Sequence, residues 1–194
     1  IVSSRFSFAM HCFYDFIREQ PRGEYRDTFQ EFGINRVIDS VVSRSGRLGL
    51  LVVQKSQLAK FQDLAEKQDL DLVVTGKDMS ISILMAPSHP LAQSESIDFD
   101  VLKQYRFLTD VDVDDSDILL EDVSSVLRVS DRASTYDAVK LEGYISTMLT
   151  KDAPDAQRHG CLCIPLEGHE NKFVIIYIKR KSTVLNSREK QFLE

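Results

Sequence analysis

No apolar run in this 194-residue chain approaches the roughly 18 residues needed to cross a bilayer. The opening residues, IVSSRFSF, lack the charged stretch followed by an apolar one that marks a secretory leader. Cysteine is scarce: three residues, an odd number without the spacing of a disulfide framework, which favours a reducing, cytoplasmic setting. A basic excess is missing too. The formal charge of −6 argues against this segment gripping a phosphate backbone, which needs clustered Lys and Arg. There is no Gly-x-Ser-x-Gly elbow, phosphate loop or dinucleotide fingerprint, and four scattered histidines do not make a triad. The reading is therefore non-enzymatic, with no catalytic residue and no cofactor assigned. The chain opens at Ile1 without Met, which reads as a fragment of something longer.

What is present reads as a soluble globular protein, 43% hydrophobic and 28% charged, long enough for one large domain or two small lobes. The spacing predicts a helix over 7–20, where Phe6, Ala9, Met10, Phe13, Phe16 and Ile17 form one stripe. Phe8, Cys12 and Tyr14 widen that stripe past a single face, so the helix must bury a second side, most simply against a partner subunit. A second helix is expected at 34–45, closed by Ser45-Gly46. Continuous apolar runs at 48–53 and 70–74 read as strands buried on both faces, with a helix around Leu58–Ala65 between them. Further strands are expected at 80–86, 125–130, 143–148, 160–166 and 172–180, with helices from Asp131 to about Leu141 and from Ser187. This alternation predicts an α/β fold with mainly parallel sheets. The final helix is expected to carry only a Ser187 cap, since Lys190 stands where a capping box needs Glu.

Three chemical clusters call for comparison with their structural alternatives. Asp110, Asp112, Asp114 and Glu121 match positions 1, 3, 5 and 12 of a calcium loop, but Asp115 stands where the sharp turn needs Gly. His159, Cys161 and Cys163, with His169 nearby, resemble a soft-metal set, yet the Cys-x-Cys spacing is short for zinc and suits core packing. No metal is assigned. His89, between Pro87 and Pro90, is expected to cap or pack a stiffened turn. The polar turns VSSRFS (2–7) and VSDRAST (129–135) each lead from a strand into a helix N-terminus, where free N–H groups and Arg5 or Arg132 would favour an anion. Ser130 or Asp131 is the expected cap of the second helix.

Taken in order, these segments resemble the effector-binding domain of LysR-type transcriptional regulators. ISILMAPSHPLAQSESIDFDVLKQYRFL (81–108) carries most of the likeness, as an apolar strand, a His-Pro-Leu-Ala turn, a short Leu-centred helix and an aromatic strand. VIDSVVSRSGRLGLLVV (37–53), VSDRASTYDAV, EGYISTM and the closing IPL…KFVIIYIKRKSTVLNSREKQFLE add to it. Two positions depart from the family pattern. Arg47 stands where an Asp is common, and Val52-Val53 replace a polar residue near the end of that strand. The resemblance implies two Rossmann-like α/β lobes joined by two crossover strands, as in type 2 periplasmic binding proteins. Lobe I would hold 1–76 plus 167–194, and lobe II 77–166. It further implies a bacterial, cytoplasmic regulator that binds a small effector between its lobes through Ser3, Ser4, Arg5, Val53, Met79, Ser130, Asp131 and Arg132. The two arginines favour an anionic effector, and Val52, Val53 and Met79 an apolar part. The regulator would be a homodimer or tetramer, with helix 7–20 against helix 131–141 of the partner. It would touch DNA only through an N-terminal winged helix-turn-helix not included in these residues. A solute-binding protein of a transport system is the alternative on the same architecture.

Overall fold

Every residue of the apolar run Ile81–Met85 is buried, as a strand covered on both faces requires. The structure is a computed structural model describing residues 1–111, 123, 125–167 and 172–194. In chain order, the first segment carries β1 (Val2–Ser4), α1 (Ser7–Glu19), β2 (Gln30–Phe32), α2 (Ile34–Val42), β3 (Gly49–Gln54), α3 (Leu58–Lys67) and β4 (Leu70–Met79). Next come β5 (Ile81–Met85), β6 (Ile97–Asp98), α4 (Phe99–Leu102), β7 (Phe107–Asp110), β8 (Val126–Val129), α5 (Arg132–Glu142), β9 (Ile145–Leu149), α6 (Ala153–Arg158) and β10 (Leu162–Glu167). The chain closes with β11 (Phe173–Arg180) and α7 (Ser187–Leu193). These elements form two compact units, Ile1–Asp78 with Phe173–Glu194, and Met79–Lys172.

Unit 1 holds a five-stranded sheet in the order β2-β1-β3-β11-β4. β1 runs parallel to β2 and β3, whereas β11 pairs antiparallel with β3 from Phe173↔Gln54 to Ile178↔Gly49. Alternate residues of β3 and β11 (Leu51, Val53, Val174, Ile176, Ile178) enter one core with Val37, Ile38 and Val41 of α2 and Ala65 of α3. α1 is anchored by aromatic rings instead. Phe13 stacks on Phe29 at 5.1 Å, and Phe13 and Phe16 meet Phe192 of α7 edge-on at 6.0 and 5.6 Å.

Unit 2 holds a six-stranded sheet in the order β6-β10-β5-β9-β7-β8. β5 is antiparallel to both neighbours, while β7 runs parallel to β8 and β9. Ile83 and Met85 face one core with Ile97, Leu102, Phe107 and Ile145, and Leu84 faces another with Tyr136, Val139, Ala156 and Cys161. Read from β8 to β10, the sheet repeats the topology of unit 1. The order is second, first and third strands, then an inserted antiparallel strand, then the fourth.

Several expectations need correction. The run LDLVV is not buried on both faces: β4 is an edge strand with Val73 39% and Val74 43% exposed. The strand also runs past the expected 70–74 to Met79, with Gly76 inside it at φ +78°. α2 stops at Val42, before the expected Ser45-Gly46, as Arg44 takes a left-handed φ of 68°. α7 has a full capping box, formed by Asn186 and Glu189 rather than Ser187 and Lys190. β2, β6 and α6 were not expected, being two or three residues of strand and one Pro154-led helix too short for a clear period. Arg47, the departure from the family pattern, has a local role. It forks onto Glu189 at 2.6 and 3.1 Å and donates to the Val184 carbonyl at 3.1 Å.

Gly49 shows how tightly β3 sits. A Cβ there would lie 2.8 Å from Ile178 Cγ1, 3.0 Å from Val41 Cγ2 and 3.1 Å from Val37 Cγ1. Gly49→Ala is expected to destabilise the protein by about 1–3 kcal/mol through overpacking, read as a lower urea midpoint at unchanged slope.

Candidate functional site

In an open α/β sheet, ligands gather at the carboxyl ends of strands where successive crossovers diverge. In unit 1, β1 leads through α1 to β2 on one side, and β3 leads through α3 to β4 on the other, so the divergence lies between β1 and β3. Ser4, Arg5, Gln54 and Lys55 stand at those strand ends. The Val52 backbone N–H donates to Ser4 Oγ at 3.1 Å, fixing the turn after β1 to β3. Ser3 is fully buried and its hydroxyl donates to the Ser4 carbonyl at 2.9 Å. Arg5 is half-buried. The α1 N-cap is Phe6, which gives no side-chain cap, and no acidic residue lies in the first turn. The positive end of the α1 dipole therefore meets no carboxylate of its own helix. Lys55, on the 3-10 turn after β3, is held by Asp78 with both carboxylate oxygens at 3.0 and 2.9 Å.

In unit 2 the same divergence falls between β7 and β9, placing Asp110, Val111 and Thr150 at it. Thr150 Oγ1 lies 3.0 Å from Ser82 Oγ and donates to the Ser80 carbonyl at 3.1 Å. The turn singled out from the sequence, Ser130–Arg132, follows β8 and so occupies the place that unit 1 gives to the start of α2. Its N-terminus is also already capped. Asp131 accepts from the Ser134 N–H at 2.9 Å and from Ser134 Oγ at 2.8 Å. Ser130 is exposed and Arg132 half-buried.

Two further expected effector residues, both apolar, are buried. Val53 is 2% exposed and packs in the unit 1 core opposite Val174, because alternation turns Val52, not Val53, to the other side of β3. Met79, the last residue of β4, is buried. Lys55, Val111 and Thr150 were not singled out from the sequence, and Asp110 only as a calcium-loop residue. Only the order of strands reveals them, and that order depends on pairings between distant segments. The apolar gap beside α3, lined by Ile38, Leu51, Phe61, Leu64, Leu70 and Ile178 among others, belongs to the core.

His89 has a structural role. It caps the 3-10 turn Pro90–Gln93, with Nδ1 accepting from the Leu91 N–H at 3.2 Å, and its ring lies 4.7 Å from that of Tyr105. His159 stacks on Tyr136 at 4.1 Å. Burial pushes the Cys161 thiol up, and burial with the neighbouring Cys161 and Asp152 charges pushes Cys163 up to about 12, the opposite of an activated thiolate. Asp112, Asp114 and Glu121 of the calcium-loop reading lie outside the described residues, as does His169. Among the described residues no group of three His, Cys, Asp or Glu could hold a metal, and no helix is long and apolar enough to cross a membrane.

No family model matches the sequence and no curated protein does. Solved structures do. The reduced regulatory domain of OxyR from Pseudomonas aeruginosa superposes with a TM-score of 0.72 at 15% identity, over 99% of this chain and 93% of that one. The regulatory domain of CcmR from Synechocystis PCC6803, in complex with 2-PG, gives 0.69 at 14% over 99% and 92%. The effector-binding domain of QuiR, in complex with shikimate, gives 0.68 at 13% over 98% and 91%. At this identity the likeness is one of fold. The chain has the fold of the regulatory domains of LysR-family regulators, the type 2 periplasmic-binding-protein-like architecture.

Burial holds the His89 imidazole below its ordinary range, and its cap needs an unprotonated Nδ1. The unfolded chain therefore takes up the proton first, at about pH 6.5. The stability tied to His89 is present above that pH and is lost as pH falls through the folded-state value. His89→Asn is expected to flatten the decline in unfolding free energy between about pH 7 and 5, followed by urea titration at stepped pH. An unchanged slope would refute the assignment.

Proposed function

We propose that this chain is the ligand-sensing regulatory domain of a LysR-type transcriptional regulator. It binds a small metabolite and passes that binding on to DNA-binding domains elsewhere in the protein. The observation that carries the reading is the turn after β1. It lies at the divergence point of a sheet in this fold, beside an α1 start whose N-cap residue, Phe6, offers no cap and whose first turn lacks acids. An anionic group of the effector belongs there, at Ser4 and Arg5. The α5 start supplies the opposite chemistry. Asp131 already fills its cap, so Ser130 and Asp131 suit hydroxyl or amine donors, with Arg132 at their side. Small hydroxylated acids such as the shikimate bound by QuiR have both kinds of group.

Shikimate, other small carboxylates and phosphate esters, screened by thermal shift and followed by calorimetric titration, test this reading, because a ligand that binds the folded state raises its stability. Arg5→Ala is expected to weaken the best ligand about tenfold or more, the worth of a charge-assisted hydrogen bond. Unchanged affinity would remove the anion subsite. A helix-turn-helix encoded upstream supports the regulator, and a lipobox or secretory leader the transport alternative.

The proposed assembly is a dimer formed through α1. Phe8, Met10, Cys12, Phe16 and Ile17 are only partly buried and Tyr14 is 57% exposed. On α5, its expected counterpart, Leu141 is 80% exposed. Tyr14→Glu is the clean probe, since Phe13 is built into the aromatic core of unit 1. Light scattering at micromolar concentration is expected to show a dimer for the unmodified domain and a shift toward monomer for Tyr14→Glu.

A further inference from the structure

The first passage of the chain out of unit 1 is gripped at both of its ends. β4 gives way to β5 across one residue, Ser80, and the boundary of the units falls between Asp78 and Met79. Within unit 1, Lys55 Nζ donates to both carboxylate oxygens of Asp78, at 3.0 and 2.9 Å. Within unit 2, Thr150 donates twice to the Ser80 carbonyl, from its backbone N–H at 3.0 Å and from Oγ1 at 3.1 Å. Thr150 Oγ1 also lies 3.0 Å from Ser82 Oγ, on a residue only 1% exposed. Since the single Thr150 hydroxyl proton goes to Ser80, Ser82 is the donor of that pair.

Lys55 and Thr150 hold the same place in their units. Each is the first residue after its unit's third strand, β3 or β9, and the first of a 3-10 turn that leads into the next helix, α3 or α6. The residue before each has matching backbone angles, φ −63° and ψ 134° at Gln54 and φ −64° and ψ 136° at Leu149. We propose that Lys55 and Thr150 are a matched pair of clasps that restrain the backbone of Asp78–Ser80. Both are positioning residues, and they act by different physics. The Lys55 clasp is an ion pair whose side chains are 55% and 34% exposed, so salt screens it. The Thr150 clasp is a pair of neutral hydrogen bonds to a backbone carbonyl, which salt leaves in place. Lys55 also stands at the divergence point of unit 1. Under the effector reading, on which this step alone rests, its clasp ties the strand end that meets a ligand to the segment by which the chain leaves that unit.

Hydrogen exchange of the peptide spanning 77–82, followed by mass spectrometry, tests the clasps without any ligand, so its outcome is separate from that of the effector reading. Lys55→Met is expected to speed exchange there about two- to fivefold, the worth of an exposed ion pair. Reversing both charges, Lys55→Asp with Asp78→Lys, is expected to restore it. Thr150→Ser, which keeps the hydroxyl, is expected to exchange like the unmodified protein, and Thr150→Val about fivefold faster. Sodium chloride at about 1 M is expected to bring the unmodified protein to the rate of Lys55→Met and to leave that variant unchanged. In Lys55→Met the peptides of β3 and β11 and the urea midpoint are expected to stay as they were. Unchanged exchange at 77–82 in either Lys55→Met or Thr150→Val, or a rise in Lys55→Met matched by β3 and β11, would overturn the paired clasps.

Discussion

Each sheet depends on an antiparallel strand supplied from beyond its own run of alternating strands and helices. In unit 1 that strand is β11, which enters from the far end of the chain and lies between β3 and β4. It meets β3 in register over six residues, and its inward residues Val174, Ile176 and Ile178 complete the core that α2 and α3 cover. Without it, Leu51 and Val53 would lose the packing that makes β3 a central strand, and β4 would have no neighbour. β5 does the same in unit 2, bonding β9 on one side and β10 on the other. The β3–β11 pairing joins residues more than a hundred apart in sequence, as in Val53↔Val174, and the β5 pairings join residues more than sixty apart, so loop-closure entropy opposes them until the sheet assembles. Once formed, they fix which strand ends stand at the divergence points.

That constraint separates two helix starts that look alike in sequence. VSSRFS and VSDRAST both run from strand to helix through serine and arginine. The first follows the strand at the divergence point of its sheet, and the second follows the neighbouring edge strand. Their cap chemistry differs in the same sense. Phe6 offers no oxygen to α1, whereas the Asp131 carboxylate satisfies α5 from within. A helix dipole that meets no carboxylate of its own attracts an anion, and one already capped by a carboxylate does not.

Much of this was legible in the residues. The apolar run Ile81–Met85 announced a doubly covered strand because β5 is central, and His-Pro-Leu-Ala marked its capped turn. Asp131 was legible as a cap because the oxygen acts two or three residues away. What escaped depends on distant partners. Nothing local distinguishes LDLVV as an edge strand from LGLLVV as a central one, since both are short apolar runs and only β11 decides which has two neighbours. Val53 depends on the same kind of information: composition shows that it is apolar, but strand parity places it in the core. Asn186 and Glu189 were missed by one residue, which moved the capping box off its true pair.

Both units are braced against internal change. In unit 2, the Tyr136 hydroxyl donates to the Asp155 carboxylate at 2.8 Å, both groups buried, while the Tyr136 ring lies flat on His159. Arg158 also donates to Asp155, at 3.1 Å. α5 therefore cannot slide relative to α6 without exposing a desolvated carboxylate, which costs more than a surface contact could return. In unit 1, Arg188 of α7 lies over the rings of Phe16 and Tyr25 at 5.3 and 3.9 Å and bonds Asp27 at 2.7 Å, which ties α1, α7 and the connection before β2 together. The chain passes between the units twice, after Asp78 and before Phe173, and these are the places where a change in backbone angles would leave both cores intact.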